Sequence, residues 1–428
     1  MSPPTGGATP DPGRELEGRT LPGAGLTVEE RLAVEAAVPE LKPRVREIVD
    51  VARAILDEEG VDALSMRAIA GRLGVRAPSL YKHLPDKQAI LDVLVADILN
   101  ENGEIMRAAI TGADDPVGAI FAAFRRWALE HPQRYVLTMG GPLSDAPLVQ
   151  AASLYSGDPL RWIMRDDLEG ALVFWTFAHG LVDLEISGRM PVPYVAEPIW
   201  AWGVARLRHP EDGVPPPKAG PGMGAAAAYR ASPPEDVALS PRAQRIVAEG
   251  RALLEEGGEE AMSMRAIAAR LGVRAPSLYK HLPDKQALED GIIASVLDEH
   301  GRLSAEVYER ATAAGDDPLG AIMAEYHRWA LEHPALQSLN MRGPLDPGPL
   351  VRSAELRSAA SLARACDGDG IVAMTIFAFV HGLIDLQLKG RIPPGYDVDA
   401  IRRRGIDALR PVPMTRIDGW PSRRPRSG

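Results

Sequence analysis

At 428 residues the chain is long enough for two or three domains, each burying its own core. Its 46% hydrophobic and 25% charged residues suit a globular protein; no stretch approaches the ~20 uninterrupted apolar residues of a membrane span, and MSPPTGGATPDPGREL lacks the order of a signal peptide. A net charge of −10 argues against a uniformly basic nucleic-acid binder, and the single cysteine, Cys366, excludes an internal disulfide and a cysteine zinc site and fits the cytoplasm.

Residues 1–40 read as a Pro/Gly-rich arm in which TVEE at Thr27–Glu30 fits a capping box for a short helix, Val28 to about Ala37. Residues 41–100 then show four helical segments. Val45, Ile48, Val49, Ala52, Ile55 and Leu56 recur at helical spacing and close at Gly60. A second helix runs from Met66 to about Leu73, with Ser65 as N-cap and Gly74 behind it. A short third helix begins near Pro78 and stops at Leu84-Pro85. A long fourth follows Asp86, with Ile90, Leu91, Leu94, Val95, Ile98 and Leu99 as its apolar stripe. Residues 101–208 are expected to form a helical domain. Residues 209–239, with VPPPKAGPGMG and ASPPED, have linker composition.

Beyond the linker the pattern returns. SMRAIAGRLGVRAPSLYKHLPDKQA at Ser65–Ala89 recurs at Ser263–Ala287 with one change in 25 positions, Gly71 to Ala269, at an offset of 198. RWALEHP at Arg126–Pro132 recurs at Arg328–Pro334, and HGLVDLEISGR at His179–Arg189 recurs as HGLIDLQLKGR at His381–Arg391, now offset by 202. The chain is therefore two homologous units, with a four-residue insertion between Gly301 and Asp316 that a helix can absorb with only ~40° of rotation. The second unit divides into residues 240–298, opened by the N-cap pair Ser240-Pro241, and 299–410; residues 411–428 form a tail carrying Arg423, Arg424 and Arg426.

Two short helices joined at Leu-Gly-Val form a helix-turn-helix pattern. Leu80 and Leu84 can pack inward, which leaves Ser79, Tyr81, Lys82 and His83 on or near the outward face, groups that hydrogen-bond to base edges and phosphates. Arg67, Arg72, Arg76, Lys82 and Lys87 stand against Asp86 alone, a local balance of +4 that recurs in the second copy. The acidic chain thus carries two small basic faces. Spacing and charge alone leave a plain helical hairpin with solvated charges open as well.

The series Met-Arg-x-Ile-Ala-x-Arg-Leu-Gly-Val-x-x-Pro-Ser-Leu-Tyr-x-His-Leu-x-Asp-Lys-x-Ala closely resembles the N-terminal domain of the tetracycline-repressor (TetR) family, and it occurs twice. The resemblance implies that Pro78, Ser79, Tyr81, Lys82 and His83 contact an operator, that Arg67 matches a base contact and Lys87 a phosphate contact. Their counterparts are Arg265, Pro276, Ser277, Tyr279, Lys280, His281 and Lys285. Where the family has Trp beside Tyr this chain has Lys82, and a family Gln is Ala77 (Ala275), so a different operator is expected.

The HGL[VI]DL and RWALEHP segments resemble the effector and dimerisation domain of one TetR subfamily. His179 and Asp183, and His381 and Asp385, stand four apart on one helix face; a buried hydrogen-bonded pair or a helix-interface contact explains them better than a metal site, which wants three or four ligands. His131 and His333, in Glu-His-Pro, suggest a cap-like role. Phe124, Trp127, Trp175 and His179, with Tyr326, Trp329, Phe377 and His381, are candidate effector ligands, core packing being the alternative; the copies differ, so one pocket can be inactive.

The expected fold is all-α: two tandem units, each a three-helix DNA-binding domain followed by a helical effector domain, packed as an intramolecular pseudo-dimer. The expected partners are double-stranded operator DNA and a small-molecule effector, with no membrane. A ligand-responsive regulator, a repressor by preference, reading a near-palindromic site follows. Two alternatives stay open: paired chains presenting four reading heads, and an enzyme built on the His-Asp pairs. No phosphate loop, nucleophile motif or metal-ligand set supports the latter, so no catalytic residue, metal or cofactor is expected.

Overall fold

The computed structural model describes residues 41–164, 167–190, 196–212, 214–217, 237–346 and 348–410, and every regular element among them is helical. The anticipated helix near Val28–Ala37, most of the linker and the Arg-bearing tail lie outside the described residues. The chain divides into two compact units whose boundary is not that of the repeat: one runs to Ala171 and takes in Lys389–Val398, the other holds Leu172–Leu388 and continues from Asp399.

In the first unit, α1 (Pro43–Glu59) starts with Pro, whose missing N–H is one no helix satisfies at that position, and buries Ile48, Val49, Ala52, Ile55 and Leu56. Gly60 ends it at φ 84°, a conformation side chains resist. α2 (Met66–Arg72) is capped by Ser65, whose Oγ accepts from the Ala68 N–H at 3.1 Å. The anticipated third helix is instead a 3-10 turn, Ala77–Lys82. Pro78 removes a donor and Pro85 closes the segment, leaving room for little beyond tight one-turn bonds such as His83 N–H to Leu80 O (2.9 Å).

α3 (Lys87–Ile110) is capped by Asp86, which accepts from the Ala89 N–H at 2.8 Å; it buries Ile90, Leu94, Ile98 and Leu99, with Leu91 and Val95 half-buried. α4 (Pro116–Glu130), α5 (Pro132–Met139), α6 (Pro147–Ile163) and the start of α7 (Leu168–Ile186) follow, α3 packing along α4 and α6. Arg134 of α5 bonds to Asp57 of α1 (2.6 Å) and Glu101 of α3 (2.8 Å), so charge-assisted hydrogen bonds tie the helical domain to the helix-turn-helix. The cap expected of His131 is made by backbone: its N–H bonds to Trp127 O at 2.9 Å, and its side chain makes no cap on α5.

The second unit contains α7 from Leu172, α8 (Ala196–Arg208), α9 (Pro241–Ala261), α10 (Met264–Arg270), a 3-10 turn at Ala275–Ser277, α11 (Lys285–Ala314), α12 (Pro318–Glu332), α13 (Pro334–Met341), α14 (Pro349–Ala365), α15 (Gly370–Leu388) and α16 (Val398–Leu409). Ser240 caps α9 through the Ala243 N–H (3.3 Å), and α9 breaks at Gly258 (φ 70°), the counterpart of Gly60. α11 spans 30 residues where α3 spans 24, so the insertion lengthens this helix. α15 is the one described helix long and apolar enough to cross a membrane, with a mean hydropathy of 1.8, yet 78% of that stretch is buried within the fold. It packs against α8, α12 and α14.

α7 and α15 cross at glycines. A Cβ on Gly180 would lie 1.9 Å from Ala378 O, and one on Gly382 would lie 2.1 Å from Thr176 O, so the two backbones touch. Flanking this crossing, Gly203 of α8 lies against the Phe177 ring and Gly405 of α16 against the Phe379 ring, the same contact made once by each repeat.

Candidate nucleic-acid interface and interior sites

The candidate reading surface follows from what the two short segments bury. Leu80 and Leu84, like Leu278 and Leu282, are buried and anchor the 3-10 turn on the three-helix core. Three residues per turn then leave Tyr81 49% exposed, and Tyr279, just past the shorter second 3-10 turn, is 47% exposed. A half-exposed tyrosine on a turn so well anchored presents an aromatic face and a hydroxyl to a partner. Arg67, Pro78, Lys82, His83 and Lys87 are exposed around Tyr81, and Arg265, Pro276, Lys280, His281 and Lys285 around Tyr279. Ser79 and Ser277 are half-buried, and each hydroxyl donates to a backbone carbonyl, Arg76 O and Arg274 O, at 2.7 Å.

The local basic balance is smaller than the sequence count. Arg72 is taken up by Glu58 and Glu59 of α1, and Arg270 by Glu256 of α9. Arg67, Arg76, Lys82 and Lys87 carry the remaining charge of the first head. The heads also differ: Lys285 pairs with Glu289 at 3.1 Å, whereas Leu91 holds that position in the first copy.

At the helix crossing, the expected His-Asp pairs form with exchanged partners. His179 Nε2–H donates to Asp385 Oδ2 (2.7 Å) and His381 Nε2–H donates to Asp183 Oδ2 (2.9 Å), so each bond joins α7 to α15 rather than two residues of one helix. Burial opposes the Asp183 charge, but the His381 hydrogen bond and the charges of both histidines outweigh it and hold its carboxyl below the usual range. Both imidazoles are buried, and no group of three or more His, Cys, Asp or Glu among the described residues is placed to hold a metal.

Two family models each match the chain twice. The model for bacterial regulatory proteins of the tetR family matches residues 48–94 and 246–290, and the one for the tetracyclin repressor-like C-terminal domain matches 117–207 and 319–409. An uncharacterised HTH-type transcriptional regulator of Mycobacterium tuberculosis is 32% identical over 181 residues, covering 40% of this chain and 82% of that protein. The chain belongs to the TetR family. Its two complete family units stand in tandem, and the fold is all-α. The class D tetracycline repressor protein of Escherichia coli is 42% identical over 52 residues, which is 12% of this chain and 24% of the repressor. A protein of unknown function from Rhodococcus sp. RHA1 aligns at 23% identity and a TM-score of 0.34, covering 39% of this chain and 94% of its own.

The effector-domain candidates of this TetR protein fall into different surroundings. In the first copy Phe124 and Trp127 are buried with ring centroids 6.5 Å apart, and Phe124 sits edge-on to Tyr135 at 6.3 Å; Trp175 is half-buried. In the second, Tyr326, Trp329 and Phe377 line a cavity of about 190 Å³. His381, engaged by Asp183, stacks on Phe377 outside that lining. Burial pushes the Tyr326 phenol up to about 12. The Trp329 Nε1–H donates to Glu299 of α11 (3.1 Å), and Glu299 pairs with Arg251 of α9, which connects the cavity wall to the reading head.

Four cavity residues were not legible as site residues: Arg189, His300, Asn340 and Glu355. Arg189 closes the first copy of the HGL motif, and the same Gly-Arg closing the second copy was the available signal. His300 has Asn102 as its counterpart, so repetition hides it.

Proposed function

We propose that this TetR protein is a ligand-responsive transcriptional repressor in which one chain supplies both reading heads for a near-palindromic operator. The observation that carries the reading is the reciprocal crossing. His179 bonds to Asp385 and His381 to Asp183, pairs related by the repeat offset, over glycines in backbone contact. Such an isologous pairing is what two copies of one surface make about a two-fold axis. Here both surfaces lie on one polypeptide, so the partner is present at the effective concentration that the tether imposes.

Arg67, Pro78, Ser79, Tyr81, Lys82, His83 and Lys87, with Arg265, Pro276, Ser277, Tyr279, Lys280, His281 and Lys285, are the proposed contacts. Arg, Lys and Ser reach phosphates and base edges, and the exposed tyrosines add stacking and hydroxyl contacts. Nearly identical heads call for nearly identical half-sites. An effector would lower operator affinity by as much as its preference for the non-binding arrangement.

The test is selection of bound sites from random double-stranded DNA, with chains per complex counted by light scattering. One inverted repeat on one chain is the expected result. Four half-sites on two chains would replace the pseudo-dimer by paired chains, and no enriched site would remove the operator reading.

A further inference from the structure

The cavity in the second repeat combines an apolar wall with polar groups that the protein leaves unsatisfied. Leu297, Ile322, Met323, Trp329, Leu362 and Phe377 supply the apolar lining. Three polar side chains facing the same space keep atoms with no hydrogen-bond partner among the described residues: Arg189 through Nε and Nη1, His300 through Nε2, and Asn340 through Oδ1. Among the described residues the remaining Arg189 nitrogen, Nη2, meets the Met341 sulfur at 3.9 Å. Buried polar atoms are nearly always paired, and an orphaned guanidinium edge is among the costliest exceptions.

The first repeat satisfies two of the three corresponding groups. Arg391, the counterpart of Arg189, donates through Nη1 to Thr138 O at 2.7 Å. Thr138, the counterpart of Asn340, donates its hydroxyl to Arg134 O (2.9 Å); Asn102, the counterpart of His300, accepts from Ser156 Oγ (3.0 Å) through Oδ1, while its Nδ2 has no partner among the described residues. Glu355, where the first repeat has Ser153, stands in the cavity wall and acts electrostatically on Arg189. Burial pushes that carboxyl above its ordinary range and so disfavours the charge that would neutralise Arg189 internally. Burial likewise lowers the Arg189 guanidinium, and it lowers His300 to about 4, which leaves a neutral imidazole able to donate or accept one bond.

We infer that this cavity is an effector site for a small apolar carboxylate, whose two oxygens take the Nε and Nη1 edge of Arg189. The planar fork of arginine matches a carboxylate in a bidentate manner, and desolvation by the apolar wall strengthens the contact. A volume of about 190 Å³ suits a body somewhat larger than one ring, since a dry cavity of about 150 Å³ accepts benzene. The inference deepens the ligand-responsive reading and rests on it. It adds the chemistry of the ligand, the repeat that holds it, and an arginine contributed to the second repeat's pocket by the first.

The test is calorimetric titration of the full chain, free of DNA, with phenylacetate and with phenylacetamide, its neutral isostere. Saturable phenylacetate binding at least about tenfold tighter than phenylacetamide is expected, lost in Arg189→Met and kept in Arg391→Met. Glu355→Gln, which removes the competing carboxyl, should tighten phenylacetate severalfold. Ala359→Phe fills the cavity from α14 while retaining Arg189, and should abolish binding even if Arg189→Met folds poorly. Equal binding of acid and amide, no binding of either, or binding indifferent to Arg189→Met and Ala359→Phe would overturn the inference. Operator affinity measured on the same preparations separates the two failures: lost phenylacetate binding with DNA binding intact sinks this site alone.

Discussion

The two C-terminal domains share one helical plan and treat the arginine that closes each HGL motif in opposite ways. In the first, Arg391 and Thr138 find partners within the protein; in the second, Arg189, His300 and Asn340 keep open valences around a cavity. Duplication within one chain permits this. In a homodimer every change in one pocket appears in both. A tandem chain can close one half into scaffold and leave the other to respond, provided the surfaces that join them stay alike.

The joint is where likeness is required, so breaking it should have the largest effect. Gly180 and Gly382 each leave no room for a Cβ because backbone stands in the way. Gly382→Val should destabilise the chain by more than about 3 kcal/mol, since the helices must separate rather than a side chain repack. Gly203→Ala, which meets the Phe177 ring instead of backbone, should cost less in the same denaturant titration. Equal losses would show that the crossing is not the tighter joint.

The second contrast concerns pH. Burial lowers the His300 imidazole from 6.5 to about 4. Between those values the unfolded chain binds a proton that the folded chain refuses. The stabilisation is complete above about pH 6.5 and disappears as the pH falls toward 4. That lowering is worth on the order of 3 kcal/mol. His300→Asn, the residue of the first repeat at this position, should flatten the dependence of stability on pH across that window. An unchanged slope would mean that His300 is not sheltered.

Sequence made the helices, the duplication and the exposure of the Tyr81 and Tyr279 faces legible, because each rests on local rules. Leu80 and Leu84 turn inward at a four-residue spacing, Ser65 and Ser240 announce caps, and the insertion between Gly301 and Asp316 falls inside a helix. Spacing also put His179 with Asp183 on one face, but only tertiary packing could exchange the partners to Asp385 and His381. The 3-10 turn at Ala77–Lys82 escaped because helical sequence signals do not separate three residues per turn from 3.6 over so short a segment. The cavity was least legible. Its key cation, Arg189, comes from the other repeat, and its charge balance depends on which atoms find partners after folding.

A smaller asymmetry lies at the tryptophans. Trp329 donates its indole N–H to Glu299 at 3.1 Å, while Trp127 Nε1 has no hydrogen-bond partner among the described residues. Tryptophan to phenylalanine should therefore cost about 1 kcal/mol more at Trp329 than at Trp127, the worth of a buried hydrogen bond to a charged acceptor above the common loss of ring. Parity between the two variants would remove Glu299 from the route between cavity and reading head.

The reading heads, which differ least in sequence, should differ least in effect. Lys87 has no ion pair among the described residues, and Leu91 stands one turn beyond it; Lys285 is held at 3.1 Å by Glu289, which also receives Arg342 at 2.8 Å. If both lysines meet operator phosphates, Lys87→Ala should lower the slope of log affinity against log salt by about 1. Lys285→Ala should lower it by less, because its charge is already shared with a carboxylate. Glu289→Leu would then bring the two lysines level, which isolates the carboxylate as the cause. Equal slopes in the two single variants, before that correction, would mean that the exposed pair opens on DNA and that both heads grip their half-sites alike.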